Sequence, residues 1–561
     1  MFSPIAQRSL KVRLLYLSLY LGLMLGGATM IIPFMIMIAG SFEPRPDTQT
    51  KVLPPYLFNR SEMWTRYLAT KYQDASDLLR MAWSEPGITF DKAKFPEANP
   101  AQTKAWQEFL REAQPDSRMF LLGFLRANTR MPSYSGRQFR LWLMSQYGND
   151  LGALNTALGT QFARWETVLP PRQDLVGPTQ PATPLSLKYR DFVRMQPMER
   201  LVAWNAGGYF RAVMLPMLYG PDPAKYNEKH GTNYASFREV PFPATAPVEG
   251  LSDWNFFVTK VLCPDFVELT PEGEAARKAA GVSKEEYIPT LAKPEQLRVV
   301  TLDLQFADWA SARGLSDQRI PQSALDWEAF EKEELFWKWQ FLTMNYERVL
   351  DEILLHGRAI VNTLILVTLS VCGALIVNPL AAYALSRFKL RKTYHILLFC
   401  LATIAFPAEV TMIPVFLQMK ELHLLNTFGA LVLPSLANGF SIFLLKGFFD
   451  SLPKELYEAA ELDGASEWTM FWQITMNLSK PILAVIALGA FSAAYGTFFF
   501  ALILAPDPKM WTIMVYIFQL RAGVDFPVVY ASLIITAIPT LLVFIFFQNI
   551  ILRGIVVPSD K

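Results

Sequence analysis

The sequence predicts an all-α membrane protein with six transmembrane helices and a mostly helical insertion outside the cytoplasm. Of its 561 residues, 52% are hydrophobic and only 18% are charged, against about 25% charged residues in a typical soluble protein. Several segments without charge are also long enough, at about 20 residues, to cross a bilayer as helices. Together these features indicate a multi-span membrane protein.

Six apolar segments are candidate spans. The first, residues 14–42, has no charge and is longer than the apolar core of a secretory signal, which runs to about 7–15 residues. Glu409 interrupts the third. The remaining five candidate spans cover residues 359–386, 396–419, 424–445, 481–505 and 526–552.

Basic residues predict the orientation of these spans, because cytoplasmic loops are enriched in Lys and Arg. Three basic residues precede the first span, four lie at positions 387–392 between the second and third, and Arg553 and Lys561 follow the sixth. We therefore expect both termini in the cytoplasm. Residues 1–42 form the N-terminal tail and first helix, residues 43–344 an extracytoplasmic insertion, and residues 345–561 the remaining five helices.

The insertion contains an internal repeat and enough aromatic residues for a core. Eleven of the 14 tryptophans lie in it. Residues 155–171 recur as residues 227–243 with a constant offset of 72, including Asn155/Asn227 and a Gly-Thr pair. Aromatic pairs at i,i+3 spacing, which share one helix face, occur at positions 106/109, 189/192, 254/257 and 327/330. These patterns predict helical modules of about 70–80 residues.

Composition and motifs argue against several functions. The net charge is +2 without blocks of like charge, so we expect no nucleic-acid partner. The four His and three Cys do not have metal-ligand spacing, which predicts no metal site and no cofactor. The Gly-x4-Gly-Lys-Ser/Thr loop that cradles nucleotide phosphates is also missing from the sequence, so any ATP-driven work requires a partner.

Residues 450–480 form a hydrophilic loop between the fourth and fifth spans. Ser451 and Pro453 suit the start of a short acidic helix, and Gly464 suits its end. Ser466 can cap a second helix that continues through Ile474 toward Pro481. Judged from its residues alone, this loop is either a docking surface or a plain helical hairpin, with neither favoured.

The C-terminal part resembles the permease subunit of carbohydrate ABC importers, the maltose-type second permease in particular, with the type I importer fold. The resemblance rests on Ala381–Phe388, Pro407–Pro414, Phe443–Phe449 and the spacing Glu458-Ala459-Ala460-x3-Gly464-x9-Ile474. The family signature usually ends Ile-x-Leu-Pro, and here it reads Ile474-Thr475-Met476-Asn477. The sequence also departs from that family at Tyr495-Gly496-Thr497-Phe498, in place of Trp-Asn-Glu-Phe, and in the long insertion.

The resemblance implies a transport subunit, not an enzyme, in the bacterial inner membrane, for a binding-protein-dependent sugar importer. The implied partners are a cytoplasmic ABC ATPase dimer, a second permease subunit, an extracytoplasmic solute-binding protein, the sugar and membrane lipid. The ATPase-coupling residues that it implies are Glu458, Ala459, Ala460, Asp463, Gly464 and Ile474.

Four residues are candidates for the translocation path. Asn378, Glu409 and Asn438 are polar groups within apolar spans, where polarity is costly and often functional. Tyr495 begins the stretch that departs from the family pattern. The alternative for the span residues is ordinary hydrogen bonding between helices, as for Asn362.

Two other functions stay open from the sequence. The insertion could make the chain a membrane-anchored carbohydrate-binding or glycoside-hydrolysing protein, with Asp191, Glu239 and Asp253 as candidate carboxylates, since glycosidases need a carboxylate pair. The permease could instead carry a solute other than a sugar.

Overall fold

The computed structural model describes residues 10–42, 55–97, 99–125, 133–163, 165–172, 174–315, 317–355, 358–388, 391–404, 407–521 and 526–554. The chain divides into two compact units. Unit 1 comprises Met1–Val52 and Thr343–Lys561, and unit 2 comprises Leu53–Leu342.

Unit 1 is built from apolar helices. Its members are α1 (Leu10–Ser41), α16 (Arg358–Arg387), α17 (Thr393–Ile404), α18 (Ala408–Glu421), α19 (Phe428–Val432), α20 (Gly439–Asp450), α21 (Lys454–Leu462), α22 (Glu467–Thr469), α23 (Met476–Leu478), α24 (Lys480–Tyr495), α25 (Phe499–Leu504), α26 (Ile513–Leu520) and α27 (Phe526–Gly554). A π-helical turn, Met470–Thr475, joins α22 to α23. Helix α16 packs against α20 and α24, and α27 packs against α1 and α24.

The described helices match the predicted spans only in part. Three are long and apolar enough to cross a membrane: Leu14–Ser41, Arg358–Arg387 and Phe526–Gln548. Two bent pairs raise the number to five if each counts as one span: Phe428–Ser435 with Gly439–Asp450, and Glu467–Leu478 with Lys480–Tyr495. The predicted third span is divided between α17 and α18, so the described residues do not establish six continuous spans.

Unit 2 is mostly helical, with two small antiparallel sheets. Its helices are α2 (Arg60–Lys71), α3 (Ser76–Trp83), α4 (Pro100–Ala113), α5 (Tyr134–Gln146), α6 (Leu151–Leu158), α7 (Pro184–Arg194), α8 (Ala206–Tyr209), α9 (Leu215–Tyr219), α10 (Ala224–His230), α11 (Leu251–Phe256), α12 (Pro271–Ala280), α13 (Lys284–Thr290) and α14 (Leu302–Ala312). Helix α15 (Gln322–Leu355) continues from the residues of unit 2 into those of unit 1.

The strands are three residues each and were not predicted. Strand β1 (Phe120–Leu122) pairs with β2 (Leu201–Ala203), and β3 (Val267–Leu269) pairs with β4 (Leu297–Val299). Each follows directly on a 3₁₀ turn. The predicted aromatic pairs lie in helices or their π-helical continuations, and the pairs of α4 and α7 are buried in one core cluster.

The two copies of the sequence repeat have the same local structure. The Asn155 side chain accepts a hydrogen bond from Phe162 N at 2.9 Å, and Asn227 accepts one from Tyr234 N at 3.0 Å. In both copies a threonine hydroxyl also donates to the Asn at 2.9 Å. The intervening glycines have φ values of 64° and 66°, which only glycine adopts freely. The repeat is therefore a turn motif stabilised by one asparagine.

A buried ion pair also lies within unit 2. Lys71 Nζ lies 2.8 Å from Asp326 Oδ1, and the two side chains are 1% and 0% exposed. Asp326 also accepts hydrogen bonds from Tyr72, Trp83 and Gln322. Burial raises the pKa of the Tyr72 hydroxyl well above its usual value. These donors and the Lys71 charge offset the free-energy cost of burying the Asp326 carboxylate.

Candidate functional site

The predicted coupling loop folds as two short helical segments around Gly464. Helix α21 ends at Leu462, and Gly464 follows with φ of 77° and open space where a Cβ would lie. Ser466 accepts a hydrogen bond from Thr469 N and so caps α22 as predicted. Ser451 instead ends α20, where its hydroxyl donates to Phe448 O, because the chain is still helical there and α21 begins only after Pro453.

The outer surface of this loop combines acidic and apolar side chains. Glu458, Ala459 and Asp463 are exposed, as is Gly464. Ala460 and Ile474 instead pack against the core cluster beneath the loop. Three large apolar side chains also lie on the surface: Leu462, Trp468 and Trp472, which are 90%, 61% and 41% exposed. We call the exposed residues of 458–472 the coupling surface.

The coupling surface is joined to α16 by polar contacts that the sequence analysis did not identify. Tyr383 OH donates to Glu467 Oε2 at 2.6 Å. The Arg387 guanidinium lies 3.9 Å from the centre of the Tyr457 ring and 3.4 Å from Glu461. The only sequence signal for them was the cluster of basic and aromatic residues at the end of the second predicted span.

Buried hydrogen bonds fix the end of the loop, where the sequence departs from the family signature. The buried Tyr457 hydroxyl and the Thr475 hydroxyl lie 2.8 Å apart, and Thr475 also donates to Met470 O across the π-helical turn. The helix does not run on to Pro481: it ends at Leu478, and α24 leaves at an angle of 83°. The substituted residues Met476 and Asn477 thus lie between the coupling surface and α24.

A cavity of about 360 Å³ lies among α16, α20, α24 and the segment before α20. Its α16 lining recurs every four residues, which places one helix face on it: Leu366, Ser370, Ala374 and Asn378. Its polar lining residues are Ser370, Asn378, Ser435, Asn438, Ser441 and Thr497. The non-helical residues just before α20 also border the cavity. This is expected, because irregular backbone within a membrane must contact protein or water and not lipid.

Two of the four predicted path residues meet at this cavity. Asn438 N donates to Asn378 Oδ1 at 2.8 Å, and Asn438 Oδ1 accepts from Ser441 N, which caps α20. Asn378 is fully buried and Asn438 is exposed. The same pair therefore joins α16 to α20 and places amide groups on the cavity wall.

The other two predicted path residues do not line the cavity as described. Tyr495 is buried, stacks on Phe491 and donates to Thr536 O at 2.7 Å. Glu409 lies in the first turn of α18, and its side chain is outside the described residues. Asn362 donates to the Lys509 and Trp511 carbonyls, as interhelical bonding predicts.

The candidate carboxylates in unit 2 have separate structural partners. Asp253 accepts hydrogen bonds from Tyr219 and Lys229 and lies 2.7 Å from His230 Nε2. Burial alone would raise the pKa of Asp253, but these hydrogen bonds outweigh that effect and lower it. Asp191 pairs with Arg194, and Glu239 accepts from Ala235 N in its own turn. The described contacts of these three acids do not form a glycosidase pair.

Comparison with known proteins identifies the class. Residues 377–557 match the family described as binding-protein-dependent transport system inner membrane component. A putative ABC transporter permease, ORF2 of Caldicellulosiruptor sp., is 35% identical over 206 residues, which cover 36% of this chain and 74% of that protein. The chain therefore belongs to this family of ABC transporter permeases, whose members are transport subunits of the inner membrane and not enzymes.

Two further relatives have named solutes. The diacetylchitobiose uptake system permease NgcG of Streptomyces coelicolor is 30% identical, covering 34% of this chain and 66% of that protein. The sn-glycerol-3-phosphate transport system permease UgpE of Yersinia pestis is 32% identical, covering 36% of this chain and 74% of that protein. All three matched segments span only about a third of this chain.

Proposed function

We propose that this permease is one subunit of an ATP-driven, binding-protein-dependent sugar importer in the bacterial inner membrane. The observation that carries the proposal is the direct connection between the coupling surface and the cavity. Helix α16 contacts the surface through Tyr383 and Arg387 and lines the cavity with its Asn378 face. Helix α24 leaves the coupling loop at Ser479 and also lines the cavity.

This connection supports a mechanism for transport. An ATPase dimer binds Glu458, Asp463 and the exposed apolar residues, and its closure displaces the loop. Because the loop is bonded to α16 and continuous with α24, the displacement changes the separation of the two helices across the cavity. The cavity then alternates between two access states, which is how a ligand-driven switch biases a two-state element. In this scheme the exposed Asn438 side chain contacts the passing sugar, and the buried Asn378 positions it through their hydrogen bond.

The remaining parts of the assembly follow from the orientation predicted by the basic residues. We place both termini and the coupling surface in the cytoplasm, six membrane crossings in total, and the insertion outside. A second permease subunit completes the path. We assign the insertion to the platform that receives the solute-binding protein; deletion of residues 60–335 should then weaken its affinity for the permease complex, and unchanged affinity would contradict this assignment.

Gly464 provides the test of coupling. Its left-handed conformation costs other residues about 1–2 kcal/mol, least for Asn and most for branched side chains. Gly464→Val should reduce ATP-dependent uptake at least tenfold in proteoliposomes with the partner subunits, whereas Gly464→Asn should retain most uptake. Both variants should still insert into the membrane. Equal uptake by Gly464→Val and the unmodified protein would overturn the proposed coupling role.

The solute is tested in the same proteoliposomes. Labelled oligosaccharides, diacetylchitobiose included, are compared with labelled sn-glycerol 3-phosphate. ATP-dependent uptake of an oligosaccharide supports the sugar assignment. Uptake of glycerol phosphate alone would show that the chain is a permease for a solute other than a sugar.

A further inference from the structure

Unit 2 contains a second cavity that the transport mechanism does not use. It has a volume of about 200 Å³ and lies between α7, the segment before it and residues that follow β2 and precede β3. Three arginines and three aromatic residues are among those that line it: Arg118, Arg172, Arg190, Tyr189, Trp204 and Phe266. It is smaller than sites for drug-sized ligands, which measure about 300–1,000 Å³, so it suits a small ligand.

Backbone hydrogen bonds fix one wall of this cavity. Cys263 N donates to Leu175 O at 2.9 Å, and Gly177 N donates to Val261 O at 2.8 Å. The Cys263 thiol is buried, and burial raises its pKa, so it stays protonated and serves as part of the wall. The segment before α7 is thereby attached to the segment before β3, and the cavity is preformed.

One lining residue has an unused polar group. Tyr189 is 1% exposed, and its hydroxyl is buried without a hydrogen-bond partner among the described residues. A buried hydroxyl without a partner costs about 1–3 kcal/mol. Its ring is meanwhile fixed by an edge contact with Phe139, the two centroids being 5.3 Å apart. A ligand in the cavity that accepted a hydrogen bond from this hydroxyl would recover the cost.

One guanidinium group of the lining can bind an anionic ligand. The Arg118 guanidinium forms an ion pair with Asp116, its nitrogen lying 3.0 Å from Asp116 Oδ2. Burial alone would raise the pKa of Asp116, but the hydrogen bonds from Arg118 outweigh that effect and lower it. Arg190 is half-buried; its charge also helps to lower the pKa of Asp116, but no hydrogen bond joins the two among the described residues. Two carboxylates also line the cavity, Asp174 and Asp265, against three guanidinium groups. Because Asp116 compensates Arg118, the charges of the remaining two guanidinium groups and two carboxylates balance, and Arg190 is the guanidinium that can pair with an anionic ligand.

We propose that this cavity binds a small saccharide that carries a carboxylate. Arg190 pairs with the carboxylate, because a guanidinium fits a carboxylate with two parallel hydrogen bonds. Tyr189 donates to an oxygen of the sugar ring or its substituents. Trp204 supplies an aromatic wall, and the amide of Gln180 adds polar contacts, a combination of apolar walls and few polar groups that is typical of ligand sites.

The ligand class is tested by calorimetry on the full-length chain in detergent. The probes are D-glucuronate, D-glucose, which lacks the carboxylate, and acetate, which lacks the ring. Glucuronate should bind at least tenfold more tightly than either of the other two. Equal affinity for glucuronate and glucose, or no binding of glucuronate, would overturn the proposal.

Variants on α7 test the assigned residues. Arg190→Gln should weaken glucuronate binding at least tenfold, and Tyr189→Phe about threefold to tenfold. Arg194→Gln is the matched control, since Arg194 lies on the same helix, is 63% exposed and does not line the cavity. Unchanged affinity in Arg190→Gln would contradict the site even if Tyr189→Phe failed to fold, and each variant's thermal transition is measured alongside.

The site and the transport function fail independently. Glucuronate binding is measured without ATPase or binding protein, so its absence leaves the coupling mechanism unaffected. Conversely, Gly464→Val should block uptake without changing the affinity for glucuronate.

Discussion

At the scale of single residues, the proposed coupling depends on a few contacts that the family signature does not include. The signature residues Glu458, Ala459 and Gly464 are exposed and available to a partner. Tyr383 and Arg387 instead hold the loop against α16. The first set can bind the ATPase without transmitting its movement, so binding and transmission are separable by mutation.

Tyr383→Phe removes one hydroxyl and tests transmission. The lost bond joins α16 to Glu467 at 2.6 Å, so ATP-dependent uptake should fall several-fold while the ATPase still copurifies with the permease. Tyr394→Phe is the control, because Tyr394 is 73% exposed on α17. The measurement is solute transported per ATP hydrolysed; a ratio that does not change in Tyr383→Phe would argue against transmission through α16.

The buried ion pair of unit 2 gives a second prediction for single residues. Asp326→Ala leaves Lys71 buried without its charge partner, which typically costs about 3–5 kcal/mol. Glu112→Ala, in contrast, removes an ion pair with Arg313 whose side chains are 53% and 44% exposed, and such pairs contribute about 0–1 kcal/mol. Amide hydrogen exchange of the full-length chain should show faster exchange in α2 and α3 for Asp326→Ala only. Equal protection in both variants would be inconsistent with this estimate.

At the scale of elements, the close approach of α17 to the start of α20 positions one side of the permease core. A Cβ on Gly439 would lie 2.2 Å from Cys400 O, whereas a Cβ on Gly447, on the same helix, would meet nothing within 4 Å. The contact at Gly439 involves backbone, which a rotamer change cannot relieve. Gly439 is therefore required for this packing, and Gly447 is not.

Gly439→Ala should consequently force the two helices apart. Overpacking costs about 1–3 kcal/mol, and the shift should also disturb the Asn438 amide one residue away. We expect a lower thermal transition in detergent and reduced uptake. Gly447→Ala should match the unmodified protein in both measurements; an equal loss in the two alanine variants would mean that the close approach is not the cause.

The elements that the sequence predicted and those that it did not differ in a physical way. Helices with a periodic apolar face and a capping residue, such as α21 with Gly464 beyond it, were predictable because their determinants are local. The division of the third predicted span between α17 and α18 was not predicted, since an apolar run carries no periodic signal that marks where a helix ends. The three-residue strands also escaped prediction, because pairing partners such as β1 and β2 are about 80 residues apart.

The same distinction holds for the site residues. Asn378 and Asn438 were identified because polar groups stand out in apolar spans, and the structure joins them by a hydrogen bond. Tyr495 was chosen from a departure in the family pattern, and the structure buries it against Phe491 and Thr536. Tyr383, Tyr457 and Arg387 could not be chosen, because a tyrosine near a span end is ordinary until the loop that it contacts is placed in space.

At the scale of the whole molecule, the family match and the insertion occupy different parts of the chain. The match covers residues 377–557, all within unit 1, whereas unit 2, Leu53–Leu342, lies within the residues 43–344 that the sequence analysis predicts as an insertion. Unit 2 has its own aromatic core, its own buried ion pair and a cavity of its own. The chain thus adds a separately packed unit to a permease, which makes the side of the membrane on which unit 2 lies decisive for its role.

That side is tested by labelling single cysteines. Cys263, Cys372 and Cys400 are replaced by Ser, and one cysteine is introduced at Glu295, which is exposed in unit 2, or at Asp463, which is exposed on the coupling surface. An impermeant maleimide should label Glu295→Cys in intact spheroplasts and label Asp463→Cys only after permeabilisation, because the basic residues predict that the two positions lie on opposite sides of the membrane. The cysteine-free chain controls for background labelling. Labelling of both positions in intact spheroplasts, or of neither, would refute the orientation and with it the assignment of unit 2 to the reception of a binding protein.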